Sequence, residues 1–244
     1  MYSYGKGLTR DYGEAVKWYR KAAEQGNAAG QFILGTIYGQ GRGVTRDDAE
    51  VAKWWRKAAE QGHSLAQFGL GAMYTEGRGV TRDYAEAAKW VRKAAEQGET
   101  DAQASLGRKY EQGKGVTRDY AEAAKWYRKA ADQGSTYAQI ALGGMYDKGE
   151  GVARDYGEAV KWFRKAADQG DAFAQYLLGT MYAAGQGVTR NYETAYVWFA
   201  RAAAQGNDDA KKWLDLVEKK LTPEQIGRAQ KSASNWQPVS GTLP

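Results

Sequence analysis

A seven-residue segment of the form Gly-x-Gly-Val-Thr-Arg-Asp recurs along this chain, with small variations, at an interval of 36 residues. Its first glycine lies at Gly5, Gly41, Gly77, Gly113, Gly149 and Gly185. A fixed period of this length is typical of a solenoid, in which each repeat is one supersecondary unit. One unit cannot bury its apolar face alone, so neighbouring repeats have to stack. The period therefore predicts a repeat array, and it constrains the fold more than the function.

Each period contains one helix with clear ends, here called the B helix. The first copy begins after Asp11, a suitable N-cap, and Glu14 completes the pattern of a capping box. It ends before Gly26, since a left-handed glycine commonly terminates a helix. The capping pair returns at Asp47/Glu50, Asp83/Glu86, Asp119/Glu122 and Asp155/Glu158, and the sixth copy, Asn191/Thr194, keeps only the cap. The terminating glycine returns at Gly62, Gly98, Gly134, Gly170 and Gly206. These signals predict helices of about fifteen residues.

A second helix, the A helix, occupies the stretch after each terminating glycine. Its recurring set is Gln31, Leu34, Gly35 and Tyr38, then Gln67, Leu70, Gly71 and Tyr74, Gln103, Leu106, Gly107 and Tyr110, Gln139, Leu142, Gly143 and Tyr146, and Gln175, Leu178, Gly179 and Tyr182. Spacings of three and four put each set on one helix face. A glycine inside a helix costs about 1 kcal/mol against alanine, so its recurrence predicts a closely crossing helix. The B-helix tryptophans are predicted to fill the space beside it: Trp18, Trp54, Trp90, Trp126, Trp162 and Trp198.

The stretch from Ala138 to Gly170 combines these features in one pattern, A-Q-x-x-L-G-x-M-Y-x-x-G-x-G-V-x-x-D-Y-x-x-A-x-x-W-x-x-K-A-A-x-Q-G. This pattern closely resembles the Sel-1-like repeat, a branch of the tetratricopeptide superfamily. The resemblance implies an all-α fold, a right-handed α/α superhelix whose A helices line a concave groove. It also implies a non-enzymatic adaptor for proteins or peptides. Cysteine-rich bacterial members of that family carry disulfides, and this chain has no cysteine.

The repeat frame predicts the organisation of the chain. Residues 1–26 are expected to form a partial repeat, a loop followed by a B helix. Five whole repeats are expected at 27–62, 63–98, 99–134, 135–170 and 171–206, together 27–206. Residues 207–236 are predicted to form two capping helices, the second beginning at the Thr222-Pro223 cap and reaching about Ser234. Residues 237–244 are expected to be a tail.

Composition argues against several classes of function. His63 is the only histidine and there is no cysteine, so we expect no metal and no cofactor. The net charge is +6, but basic and acidic residues alternate within each B helix, and Glu14 can pair with Lys17. A nucleic-acid surface needs a concentrated basic stripe, so no nucleic acid is expected. The longest uncharged run contains Gln175 and a glycine turn, which argues against membrane insertion.

Four rows of A-helix positions change from repeat to repeat, about one turn apart. The first two are Ala29, Leu65, Asp101, Tyr137 and Phe173, then Phe32, Phe68, Ala104, Ile140 and Tyr176. The other two, mostly polar, are Thr36, Ala72, Arg108, Gly144 and Thr180, then Gln40, Glu76, Gln112, Lys148 and Ala184. Aromatic side chains with a few charges suit an extended peptide or a partner helix. If the geometry of the resembled family holds, these rows face the groove. The predicted partner-binding residues are Phe32, Phe68, Asp101, Arg108, Tyr137, Ile140, Phe173 and Tyr176. Ordinary packing between helices is the equal alternative for the apolar members.

Two further questions stay open at this level. A hydrolase or binding protein for cell-wall or lactam substrates is the alternative function, carried by what is proposed for relatives. No secretory signal is visible and the chain is expected to be soluble; its compartment is left open, with export of the parent protein to a bacterial periplasm as one alternative. The A helix that would cover residues 1–26 is not present upstream, so apolar surface is expected there. Weak self-association through that end is predicted, with Trp18 and Tyr19 as contacts.

Overall fold

The computed structural model describes residues 12–236, which fold entirely into helices and turns, as the repeat period predicts. The helices are α1 Tyr12–Glu24, α2 Ala28–Gln40, α3 Asp48–Glu60, α4 Ser64–Glu76, α5 Tyr84–Glu96, α6 Thr100–Gln112, α7 Tyr120–Asp132, α8 Thr136–Lys148, α9 Tyr156–Asp168, α10 Ala172–Ala184, α11 Tyr192–Ala204, α12 Asp208–Glu218 and α13 Pro223–Ser234. Odd-numbered helices up to α11 are B helices, and even-numbered helices up to α10 are A helices. The predicted cap Asp11, the loop of the partial repeat and the tail 237–244 lie outside the described residues.

The predicted caps define the helix ends. Asp47 is extended at φ −148° and accepts hydrogen bonds from the amides of Ala49 and Glu50, at 2.9 and 3.1 Å. At the other end of α3, Gly62 has φ +90°, the left-handed conformation expected of a terminating glycine. The repeated helices span 13 residues rather than about fifteen, because the capping residues lie outside the helix.

The capping box of the B helices is only half formed. In α3 the carboxylate of Glu50 is turned away from the cap and binds the Lys53 ammonium at 2.7 Å and the Trp54 indole N–H at 2.9 Å. A charged partner three residues away competes successfully with a backbone amide. Both arms of the box are present in α13, between Thr222 and Gln225, and that helix ends at Ser234 as predicted.

The chain divides into two compact units, Met1–Asp119 and Tyr120–Pro244. Within each, an A helix crosses the following B helix at its glycine, as predicted. A Cβ atom on Gly35 would lie 2.5 Å from Cδ1 of Trp55, and one on Gly143 would lie 2.6 Å from Cε1 of Phe163. Since atoms essentially never approach so closely, only glycine fits at these crossings.

The prediction that the B-helix tryptophans fill the space beside these glycines was wrong by one position. The side chain that fills the space follows the tryptophan: Trp55, Val91, Phe163 and Phe199. One residue along a helix rotates the side chain by about 100°, so the tryptophan faces elsewhere. Trp54 packs instead in a cluster with Val16 and Ala23 of the preceding B helix.

Two polar contacts recur from repeat to repeat. The buried Gln31 donates to the Ala23 carbonyl oxygen at 3.1 Å and accepts from the Gln61 side chain at 2.8 Å. Each of these glutamines therefore joins the B helix before it to the B helix after it, which satisfies a buried amide. The second contact joins Arg20 to the Tyr38 hydroxyl at 2.5 Å, and it recurs at Arg56/Tyr74, Arg92/Tyr110, Arg128/Tyr146 and Arg164/Tyr182.

The last two helices cover α11. Ala210, Val217 and Ala229 are buried in a cluster with its side chains. Arg228 of α13 binds the Glu193 carboxylate of α11 through two hydrogen bonds, at 3.0 and 2.9 Å. This bidentate contact lowers the pKa of Glu193, first through the hydrogen bond and then through the charge of Arg228.

Candidate functional site

The varying A-helix rows carry exposed aromatic side chains in the second unit. Tyr137 at the start of α8 is 49% exposed, and Phe173 at the same place in α10 is 51% exposed. Large apolar side chains usually find cover, so these two exposed rings, at the repeat position where Leu65 of the first unit is also exposed, indicate a surface available to a partner. Tyr127 packs edge-on against Tyr137 at 6.0 Å between ring centroids, which restricts how the exposed ring can move.

A chain of rings continues from Phe173 into the core. Phe173 stacks on Tyr176 at 6.2 Å, Tyr176 contacts Phe199 at 6.1 Å, and Phe199 stacks on Trp213 of α12 at 5.9 Å. Phe199 is fully buried and holds the group in place, whereas Trp213 is exposed. The term aromatic face is used here for Tyr137, Phe173, Tyr176, Trp213 and the exposed Leu216. Such a face can offer rigid apolar anchors to an incoming chain.

Other predicted residues lie mainly in contacts between helices. Phe32 stacks on Trp55 at 5.7 Å and on the His63 ring at 4.6 Å. Ile140 is half-buried against the core of α9 and α10. Asp101 lies exposed in the first turn of α6. The structure thus divides these residues into exposed rings, partly buried packing residues and the exposed carboxylate of Asp101.

Phe68 and Arg108 come together in the first unit, at a cavity of about 290 Å³ between α4 and α6. Apolar atoms of Ala72 and Val91 form part of its wall. Thr75, Ser105 and Gln112 add polar groups. Asp101 is not among the residues that line the cavity.

The most unusual residue of this cavity, Lys109, was missed by the sequence prediction. It is only 6% exposed, and its ammonium donates to the Thr75 hydroxyl at 3.2 Å. Burial lowers the pKa of Lys109, and the charges of Arg108 and Lys114 lower it further. The sequence does contain a signal for Lys109. The equivalent positions of the other repeats are apolar, namely Ile37, Met73, Met145 and Met181, so a lysine stands where the repeat places a core residue.

Trp213 and Leu216 were also missed. In the sequence, α12 has the charged residues of a polar cap, which separates it from the five A helices of the whole repeats. Leu216 lies 36 residues after Thr180, so the same frame places it in a varying row.

His63 has a structural position. Its Nδ1 atom caps α4 by accepting from the Ala66 amide at 3.3 Å. Within residues 12–236 there is no group of three or more His, Cys, Asp or Glu side chains that could hold a metal ion. None of the helices in that range is long and apolar enough to cross a membrane.

Comparison with known proteins places these observations in a family. Residues 1–27, 28–63, 64–99, 100–135, 136–171 and 172–207 each match the Sel1 repeat. The chain is 42% identical to c5321, a protective antigen present in uropathogenic Escherichia coli strains that displays an SLR fold. That alignment has a TM-score of 0.87 and covers 96% of this chain and 51% of that chain.

A second similar structure is a Sel1 repeat protein from Oxalobacter formigenes, 40% identical, with a TM-score of 0.75. The alignment covers 89% of this chain and 63% of that chain. This chain therefore spans about half the length of the Escherichia coli protein and less than two thirds of the Oxalobacter protein. No curated protein sequence gives a significant match. Because the matched repeats extend over residues 1–207, the chain belongs to the Sel1 repeat family.

Proposed function

We propose that this chain is a protein-interaction scaffold that binds an extended segment of a partner protein on the aromatic face. The observation that carries the proposal is the exposure of Tyr137 and Phe173, two rings at one position of successive repeats. The glycine and glutamine positions of the same A helices are nearly the same in every repeat, and these residues are used in contacts between helices. Constant positions build the scaffold, and the varying positions are free to recognise a partner.

The spacing of the rings supports an extended ligand. Phe173, Tyr176 and Trp213 belong to two A-type helices and are linked through the buried Phe199. Aromatic anchors held by a buried neighbour lose little conformational entropy on binding. The nearby Lys211 and Lys212 are paired with Asp208 and Asp209, at 2.8 and 3.0 Å. Apolar contact therefore carries most of the proposed binding energy on this face.

The alternative function, a hydrolase for cell-wall or lactam substrates, needs a nucleophile beside a base. In the cavity between α4 and α6, a lysine does contact a hydroxyl, Lys109 with Thr75. The direction of this contact does not suit a base, because the ammonium is the donor and the Thr75 hydroxyl donates to the Gly71 carbonyl oxygen at 2.9 Å. No specific observation favours the hydrolase, and we do not propose it.

The experiment begins with a displayed random-peptide library panned against the chain, followed by affinity measurements on the enriched peptides. The test variant is Tyr137→Ala combined with Phe173→Ala, since both side chains are exposed and their loss should leave the fold intact. The matched control is Tyr84→Ala, an exposed aromatic residue at the start of a B helix. We expect the double variant to bind the enriched peptides at least about tenfold more weakly.

Circular dichroism of each variant checks that the fold is retained. Equal affinities of the wild type and the double variant would remove the aromatic face from the site. An equal loss in Tyr84→Ala would mean that binding is spread over exposed rings in general.

A further inference from the structure

The cavity between α4 and α6 differs from the aromatic face in charge. Three cationic side chains line it, Arg108, Lys109 and Lys114. The one carboxylate in its wall, Glu76, is already paired with Arg78 at 2.7 Å. No ion pair neutralises any of the three cations within the described part of the chain. The cavity therefore holds an excess of positive charge.

The burial of Lys109 makes this excess of positive charge energetically unfavourable. The residue is only 6% exposed, and its ammonium has the Thr75 hydroxyl as its protein acceptor. An ammonium has three hydrogens to donate, and a buried charge without a counter-charge is strongly unfavourable. Methionine occupies the same position in three other repeats, so the fold itself does not need a lysine there. A bound anion would supply the missing acceptor and the missing charge.

We propose that this cavity is a binding site for a small carboxylate ligand with a short aliphatic stem. The carboxylate accepts from Lys109 at the bottom of the cavity and from Arg108 at its rim. The stem lies against Phe68, Ala72 and Val91 in the wall. The site lies in the first unit and does not depend on the aromatic face of the second.

The shape and charge favour a carboxylate over phosphate. A volume of about 290 Å³ exceeds what a bare ion fills, and part of the wall is apolar. Glu76 also borders the cavity, and its repulsion is stronger for a doubly charged phosphate than for a singly charged carboxylate. Arginine and lysine together are a common pair of donors to carboxylate oxygens.

The test uses three probes: butyrate, its uncharged analogue butyramide, and inorganic phosphate. Binding is followed by NMR on the full chain, through the ε-methylene resonances of Lys109 and the amide signals of α4 and α6. We expect butyrate to bind in the millimolar range and to raise the pKa of Lys109, since an adjacent anion favours the charged form. Butyramide and phosphate are expected to bind at least about tenfold more weakly.

The test variant is Lys109→Met, which introduces the residue of the other repeats and should fold. Its matched control is Lys148→Met, an exposed lysine of α8 in the second unit. Butyrate affinity should fall at least about tenfold in Lys109→Met and stay unchanged in the control.

Any of four results would overturn the proposal. If butyrate binds Lys109→Met as well as it binds the wild type, or binds neither protein, the cavity is not a carboxylate site. Equal binding of butyramide would mean that the apolar wall alone holds the ligand. Tighter binding of phosphate than butyrate would assign the cavity to phosphate instead.

Discussion

At the scale of single residues, Gly143 and Gly144 stand side by side in α8 with opposite surroundings. A Cβ atom on Gly143 would meet the Phe163 ring at 2.6 Å, whereas one on Gly144 would meet nothing within 4 Å. The chain uses glycine for close approach at the first position. The second position has no such need, and glycine only weakens the helix there.

This contrast gives a paired prediction. Gly143→Leu should lower the free energy of unfolding by about 1 to 3 kcal/mol, because the core is overpacked. Gly144→Leu should raise it by about 0.5 to 1 kcal/mol through better helix propensity. Urea unfolding of both variants measures the difference. Equal effects of the two substitutions would mean that no helix crosses closely at Gly143.

Lys109 gives a second prediction at this scale. Lys109→Met should stabilise the chain by about 1 kcal/mol or more, because a buried charge is replaced by an apolar side chain of similar size. The gain should be full below the lowered pKa of Lys109 and should shrink as the pH rises toward the ordinary value of 10.5. The reason is that the unfolded chain binds more protons in that range, so the wild type gains stability with pH.

Arg108, Lys114 and Glu76 are the other charged groups that line the cavity, and they are unchanged in the variant. Thermal unfolding in the absence of carboxylate buffers, from neutral to alkaline pH, gives the comparison. A variant less stable than the wild type at neutral pH would show that Lys109 is well compensated in the free protein.

At the scale of helices, the buried glutamines connect the repeats. Gln175 is fully buried, donates to the Ala167 carbonyl oxygen at 3.2 Å, and accepts from Gln205 at 2.9 Å. Ala167 lies in the B helix before the A helix that carries Gln175, and Gln205 caps the C-terminal end of the B helix after it. A single side chain therefore fixes the positions of three helices.

Removal of this link is predicted to lower the free energy of unfolding. Gln175→Leu removes both hydrogen bonds, and because each contributes about 0.5 to 1.5 kcal/mol, the loss of stability should be about 1 to 3 kcal/mol. The Ala167 carbonyl oxygen keeps the Gly170 amide as a donor. Gln40→Leu, a change of an exposed glutamine near the end of α2, is the control and should be almost neutral. Differential scanning calorimetry measures the stability of both variants against the wild type. A neutral Gln175→Leu would mean that packing alone holds these helices in register.

At the scale of the whole molecule, the repeat period predicts the all-helical fold and nearly every helix end, because caps and glycines are local signals. It does not predict which neighbour a side chain meets. Each B-helix tryptophan was predicted to fill the space beside an A-helix glycine, because both residue types recur prominently. The rotation of the helix instead directs the following residue into that space, as at Trp55, Val91 and Phe163. Lys109 was not predicted as a site residue because its role depends on its burial, which the residue type alone does not indicate.

The N-terminal end carries the prediction of self-association. Trp18 is 59% exposed, whereas Trp54 at the same repeat position is 4% exposed. Tyr19 lines a cavity of about 280 Å³ together with Phe32, Ile33 and Ile37. Exposed apolar surface of this kind favours association, so we predict weak, concentration-dependent self-association. Sedimentation velocity at rising concentration should show it in the wild type and much less in Trp18→Ala. A wild type that stays monomeric throughout would contradict it.

The central claim is that the aromatic face binds a partner segment. Its most direct test is NMR mapping of the isotope-labelled chain with a peptide enriched by display. We expect the largest chemical-shift changes at Tyr137, Phe173 and Trp213, with α3 and α5 unaffected. Changes concentrated on the B helices, with the aromatic face unperturbed, would show that the partner binds elsewhere.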